Sequence, residues 1–171
     1  MNKIVVFGKP GSGKSTLSHS LASATGIKLH ALDLIEYEKN GDKVDRVIFD
    51  EKHESILTSD SWIIDGFGPM ESFNKRLDVA DTLIYIDLPY FISYWLVTKR
   101  LLKGFFVNPK GWPEGSSIVK GTLQSYKVLR LCPKFWNECF MQKLEKISTN
   151  KTLYVIRSVS ELNRFVDTNV R

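Results

Sequence analysis

Apolar residues arrive in short bursts along this chain, and the bursts alternate between two periods. Lys3-Ile4-Val5-Val6-Phe7 is an unbroken, β-branched run, the mark of a strand buried on both faces of a parallel sheet. After it, Leu17, Leu21 and Ala24 recur at helical spacing and predict a helix from near Lys14 to just before Gly26. The alternation then repeats. Ile27 to Leu32 predicts a second strand ending at Asp33, and Val44, Val47, Ile48, Ile56 and Leu57 predict a helix over roughly 43–58. Ser61-Trp62-Ile63-Ile64 reads as a third strand ending at Asp65, and Pro69 opens a short helix with Met70, Phe73 and Leu77 on one face. Thr82 to Ile86 is a fourth strand ending at Asp87, with a helix starting at Pro89. Ser117 to Ile147 is helical, with a break near Pro133. Leu153 to Ile156 supplies a fifth strand. Ser158 and Glu161 have capping-box spacing for a last helix that packs Leu162, Phe165 and Val166.

Strands alternating with helices predict an α/β fold whose parallel sheet is covered on both faces, with ligands bound beyond the carboxyl ends of the strands. Asp33, Asp65 and Asp87 all stand at such ends. A carboxylate there attends a metal, an acceptor or a proton, or it caps a helix. One stretch breaks the rhythm. Lys103 to Gly121 holds Phe105, Phe106, Asn108, Pro109, Trp112 and Pro113 without any period. So long a connection is functional more often than idle. Two accounts of it stand open: a lid at about 101–121 that keeps water from the phosphates, or a surface excursion with its aromatic residues packed underneath.

The turn between the first strand and the first helix carries the chemistry. Residues 8–16 read Gly8-Lys9-Pro10-Gly11-Ser12-Gly13-Lys14-Ser15-Thr16, a complete phosphate-binding loop of the form Gly-x-x-x-x-Gly-Lys-Ser. Glycines let the backbone fold so tightly that several N–H groups face one anion, and the helix N-terminus adds its positive end. Lys14 is expected to neutralise the outer phosphates, and the Ser15 hydroxyl to ligate a metal. The phosphates of a nucleotide, with Mg2+, are therefore the expected ligand, and the loop does not choose between ATP and GTP.

Composition adds limits. The chain of 171 residues suits one domain with a full core, and 43% hydrophobic with 25% charged residues is ordinary for a globular protein. Lys and Arg exceed Asp and Glu by 24 to 19, a net +5, but no basic block resembles a nucleic-acid tail. Cys132 and Cys139 fit no zinc spacing and read as buried free thiols in a reducing, cytoplasmic setting, with no targeting segment ahead of the first strand. The apolar run from Tyr90 to Leu102 is too short for a membrane span and is broken by Lys99 and Arg100. Trp62, Trp95, Trp112 and Trp136 lie among apolar neighbours and are expected in the core, and His19, His30 and His53 form no ligand cluster.

Taken with the loop, a set of segments resembles the adenylate kinase-related P-loop proteins, and within them the DNA topology modulation (FlaR-type) proteins. The segments are Leu32-Asp33, Ser61-Trp62-Ile63-Ile64-Asp65-Gly66, Arg76-Leu77 with Ala80-Asp81, Tyr85-Ile86-Asp87-Leu88-Pro89 with Trp95 and Lys99-Arg100, and Ile156-Arg157-Ser158. The resemblance implies a three-layer fold with a five-stranded parallel sheet in the order 2-3-1-4-5 and a small lid. It implies a kinase that passes the ATP γ-phosphate to an unidentified small-molecule or nucleotide acceptor. Asp65 would hold Mg2+ through water, with Ser15 as direct ligand; Asp87 is the rival, and Asp65 is preferred because its strand should adjoin the first. Asp33 would orient or deprotonate the acceptor, or simply cap the turn that follows. Arg100 would stabilise charge on the transferring phosphoryl group, or sit as a solvated helix end. Arg76 would bind an acceptor phosphate, or pair with Asp78 or Asp81. Arg157 and Ser158 would touch the adenine. The chain departs from adenylate kinases at Gly68-Pro69-Met70, where a proline-arginine pair is expected, and it has no arginine between Lys103 and Gln124, which points away from AMP as acceptor. The family's name suggests a second reading, a nucleotide-dependent regulator that touches DNA, or a slow ATPase. That reading needs a contiguous basic face, and the sequence has neither a helix-turn-helix signature nor a dense basic stripe.

Overall fold

The structure, a computed structural model, describes residues 1–38, 42–104 and 118–170. Five strands form one parallel sheet: β1 (Lys3–Gly8), β2 (Leu29–Ala31), β3 (Trp62–Asp65), β4 (Thr82–Ile86) and β5 (Thr152–Ile156), in the spatial order β2-β3-β1-β4-β5. This is the order and the α/β architecture that the resemblance implies. The expected lid lies, apart from its ends, outside the described residues.

Alternation along the strands sorts the core into its two faces. Val5, Phe7, Trp62, Ile64, Leu83 and Tyr85 point to one side. There they meet Phe49 and Leu57 of α3 (Arg46–Leu57), Phe73 and Leu77 of α4 (Met70–Val79) and Leu144 of α7 (Glu138–Ile147). Ile4, Val6, Ile63, Ile84 and Ile86 point to the other side. Leu17 and Leu21 of α1 (Lys14–Thr25) and Phe165 of α8 (Val159–Asn169) cover them. Burial on both faces is why the strands are continuous apolar runs rather than alternating ones.

Ends differ from expectation where tertiary contacts decide them. The second strand is only Leu29–Ala31, because Leu32 turns off the sheet edge, buries its side chain, and donates its N–H to the Asp65 carbonyl at 2.9 Å. Asp33 therefore opens α2 (Asp33–Glu36) instead of closing a strand. Helix α3 starts at Arg46, capped by Asp45, whose side chain accepts from the Val47 N–H at 2.8 Å. The break at Pro133 is present: α6 (Ile118–Leu131) ends in a 3₁₀ turn, Cys132–Lys134, ahead of α7. Trp62 is buried and Trp136 stacks on Tyr85, but Trp95 on α5 (Tyr90–Gly104) is 63% exposed, and Trp112 lies outside the described residues. Cys132 is a buried free thiol as expected; Cys139 is a free thiol on the exposed face of the amphipathic helix α7.

Candidate active site

The loop from Gly8 to Thr16 leaves the carboxyl end of the central strand, and it is pressed against its neighbours too closely to hold side chains at its glycines. A Cβ on Gly8 would lie 2.3 Å from the Ile86 carbonyl oxygen. One on Gly11, whose φ is 72°, would lie 2.7 Å from the Ser93 carbonyl oxygen and 2.6 Å from Val97 Cγ2 of α5. Within the loop the Ser12 N–H donates to the Lys9 carbonyl at 3.2 Å, and Pro10 is half-buried. Helix α1 then begins at Lys14 behind Gly13, with no acidic residue of its own in the first turn, so its positive end faces the loop. Thr16 is exposed on that first turn.

Four charged side chains act on one another around this loop. Lys14 donates from Nζ to the Lys9 carbonyl at 2.9 Å. Burial pulls its pKa down, while Asp65 and Asp33 push the other way. Asp65, at the end of β3, is buried; desolvation raises its carboxyl, opposed by Lys14 and by the hydroxyl of Ser15. Its Oδ1 is buried without a hydrogen-bond partner. Asp33 stands exposed to the cleft yet flanked by protein, which raises its pKa, with Lys14 the main opposing charge. Arg100 of α5 is held by the Ser125 hydroxyl at 2.7 Å, and Asp33 counters the lowering that burial imposes on it. The structure thus gathers Lys14, Ser15, Asp33, Asp65 and Arg100 at one place. Lys99, beside Arg100, is exposed.

Asp87 is separated from this group by its partner. Both β3 and β4 flank β1, so adjacency alone does not choose between Asp65 and Asp87. What differs is the partner: Lys9, a fully buried cation inside the loop, forms an ion pair with Asp87 and lies 4.6 Å from the centre of the Tyr90 ring, whereas Asp65 Oδ1 has no hydrogen-bond partner. Tyr85 also donates to Asp87, at 3.2 Å. Asp87 is spent on fastening the loop to β4. Sequence reading assigned Lys9 nothing; a lysine inside the glycine loop was the available signal, but its partner lies 78 positions away.

Arg157 and Ser158 do not join the charged group directly. Arg157 is exposed, and Ser158 caps α8 by accepting the Glu161 N–H at 3.1 Å. Their link to the loop is Leu162, one turn on, whose Cδ2 would touch a Cβ at Gly13 at 2.7 Å. Arg76 pairs with neither Asp78 nor Asp81; it lies wholly inside the protein. A groove of about 680 Å³ between α2 and α3, lined by Leu34, Tyr37, Ile48 and Lys52 among others, is not lined by Lys14, Asp65 or Arg100.

No protein-family model matches the chain. Among solved structures it is similar to a shikimate kinase from Acinetobacter baumannii in complex with shikimate, with a TM-score of 0.57 over 99% of this chain and 94% of that one. The sequences are 14% identical, so the likeness is one of fold. The glycine loop after β1 and the sheet order make it a P-loop α/β fold.

Its usual ion fits the residues present. The Ser15 hydroxyl and the Asp65 carboxyl, with its orphaned Oδ1, are hard oxygen donors suited to Mg2+. Among the described residues no three of His, Cys, Asp and Glu gather as a metal cage. Mg2+ that is carried mainly by phosphate oxygens and water needs none. No helix among the described residues is long and apolar enough to cross a membrane.

Proposed function

We propose that this protein is an ATP-dependent phosphotransferase acting on a small acceptor that carries a hydroxyl or phosphate group. The observation that carries the reading is the meeting of Lys14, Ser15, Asp33, Asp65 and Arg100 at the mouth of one glycine loop. In it the loop amides and the end of α1 bind the phosphates of ATP. Lys14 leaves the Lys9 carbonyl and follows charge toward the leaving oxygen. Ser15 and Asp65 would hold Mg2+, which when bound screens charge between the phosphates. The acceptor approaches from the Asp33 side. Asp33, its affinity for protons raised, orients the acceptor hydroxyl and takes its proton as the new oxygen–phosphorus bond forms and ADP departs. Arg100 donates to the oxygens of the phosphoryl group in transit. Arg157 lies over the adenine, with Ser158 keeping that segment in place as a helix cap.

Positioning and electrostatics supply nearly all of such catalysis. The fold shared with a shikimate kinase and the absence of the proline-arginine pair both favour a hydroxyl-bearing metabolite over AMP. The finer resemblance to DNA topology modulation proteins rests on the motifs alone. Transfer of labelled γ-phosphate from ATP to a panel of polyols, hydroxy acids, nucleosides and nucleoside monophosphates tests the reading, with acceptor-free hydrolysis as control. At least one acceptor is expected to outrun hydrolysis, and Lys14→Ala is expected to abolish that transfer while leaving the circular dichroism spectrum unchanged. Transfer to no acceptor, or full transfer by Lys14→Ala, overturns it.

A further inference from the structure

Arg76 poses a question that stability does not answer. Its side chain is 0% exposed, and among the described residues no carboxylate forms an ion pair with it. Nη1 lies 3.2 Å from His53 Nε2, Nη2 donates to the carbonyls of Gly66 at 3.4 Å and Phe67, and Nε has no partner. The guanidinium also lies 5.5 Å from the Phe73 ring centre. A buried cation without a matching anion is costly, and an apolar residue of similar volume would serve packing as well or better.

What Arg76 holds is the turn that follows Asp65. Gly66, at φ 120°, donates its N–H to the Val6 carbonyl at 3.1 Å, which ties the front of the turn to β1. Arg76 gathers the carbonyls of Gly66 and Phe67 from behind. Leu32 packs against the same turn: a Cβ on Gly66 would lie 3.2 Å from Leu32 Cβ, and one on Gly68 3.3 Å from Leu32 Cδ1. Leu32 in turn precedes Asp33. One guanidinium therefore backs the segments that present both carboxylates of the site.

We propose that Arg76 is a positioning residue that sets Asp65 against Ser15, and so governs how strongly Mg2+ adds to nucleotide binding. The inference rests on the phosphotransferase reading. Its test is calorimetry on the full chain with the β,γ-imido analogue of ATP, once with Mg2+ and once with EDTA. In Arg76→Lys, metal-free affinity is expected to stay near the native value, because the loop is fastened to β4, α5 and α8 on its other sides. The gain in affinity from Mg2+ is expected to shrink about tenfold, as when a partner behind a metal ligand is removed. In an Asp65→Asn background, Arg76→Lys is expected to change that gain no further. A folded Arg76→Lys with the full Mg2+ gain overturns the proposal, as does an equal loss in the Asp65→Asn background. Should Arg76→Lys fail to fold, His53 decides. His53→Leu removes the Nη1 acceptor and is expected to weaken the Mg2+ gain, and His53→Gln to restore it; equal gains in the two overturn the proposal. Failure of the native protein to bind the analogue at all sinks the phosphotransferase reading along with this one, whereas normal native binding with unchanged gains in the variants sinks this one alone.

Discussion

At the scale of single residues, burial does more than contact to set the chemistry. His53 is an example. Enclosed beside Phe49 and facing Arg76, it is pulled down to about 4, first by desolvation and then by the neighbouring cation. The folded protein thus keeps His53 neutral where the unfolded chain, with a pKa near 6.5, protonates it. Stability from this group is fully present above about pH 6.5 and is lost as pH falls toward 4, by about 3 kcal/mol at most. Urea unfolding at pH 7 and pH 4.5 measures the difference, and His53→Gln is expected to flatten that part of the profile. The loss runs only through this window because below it both states carry the proton. Arg76, lowered to about 9 by the same burial, remains charged throughout.

At the scale of elements, the strands were legible because their runs are β-branched and buried on both faces, and the phosphate loop because its glycines admit no other reading. Lys14 and Ser15 stand inside the loop motif itself, whereas Asp65 was preferred over Asp87 only through the family resemblance. The rest depended on contacts that no local pattern encodes. Lys9 finds Asp87 across the sheet, Leu32 leaves the edge to plug a turn made by Gly66 and Gly68, and Arg76 reaches carbonyls instead of the nearby aspartates. Trp95 was misplaced because helical spacing tells which residues share a face, not whether that face is covered. The capping box at α8 belongs to the legible part, and it carries a prediction. Ser158→Ala removes the acceptor of the Glu161 N–H and is expected to lower stability by about 1 kcal/mol, read as a reduced midpoint in urea. Because the cap also holds the segment that carries Arg157, nucleotide affinity is expected to fall with it, read by calorimetry, while the phosphate loop itself stays pinned at Gly13 by Leu162.

At the scale of the whole molecule, the sheet order puts β1 in the middle, so a ligand on its loop is braced from both sides by β3 and β4. Ligand that binds only the folded chain raises its stability by mass action, about 2.7 kcal/mol at a hundredfold excess over the dissociation constant. For a chain of 171 residues this corresponds to a rise in melting temperature of roughly 5–10 °C. MgATP is expected to give a shift of this order in thermal scanning, and Lys14→Ala to show none; an equal shift in both places the nucleotide elsewhere.

The hydrogen bond from Lys14 to the Lys9 carbonyl has one more consequence. A lysine ammonium has three protons and this bond uses one of them, so two can engage a phosphate before the first is given up. The incoming anion meets a cation already drawn across the loop, and little side-chain freedom is left to be lost when it arrives.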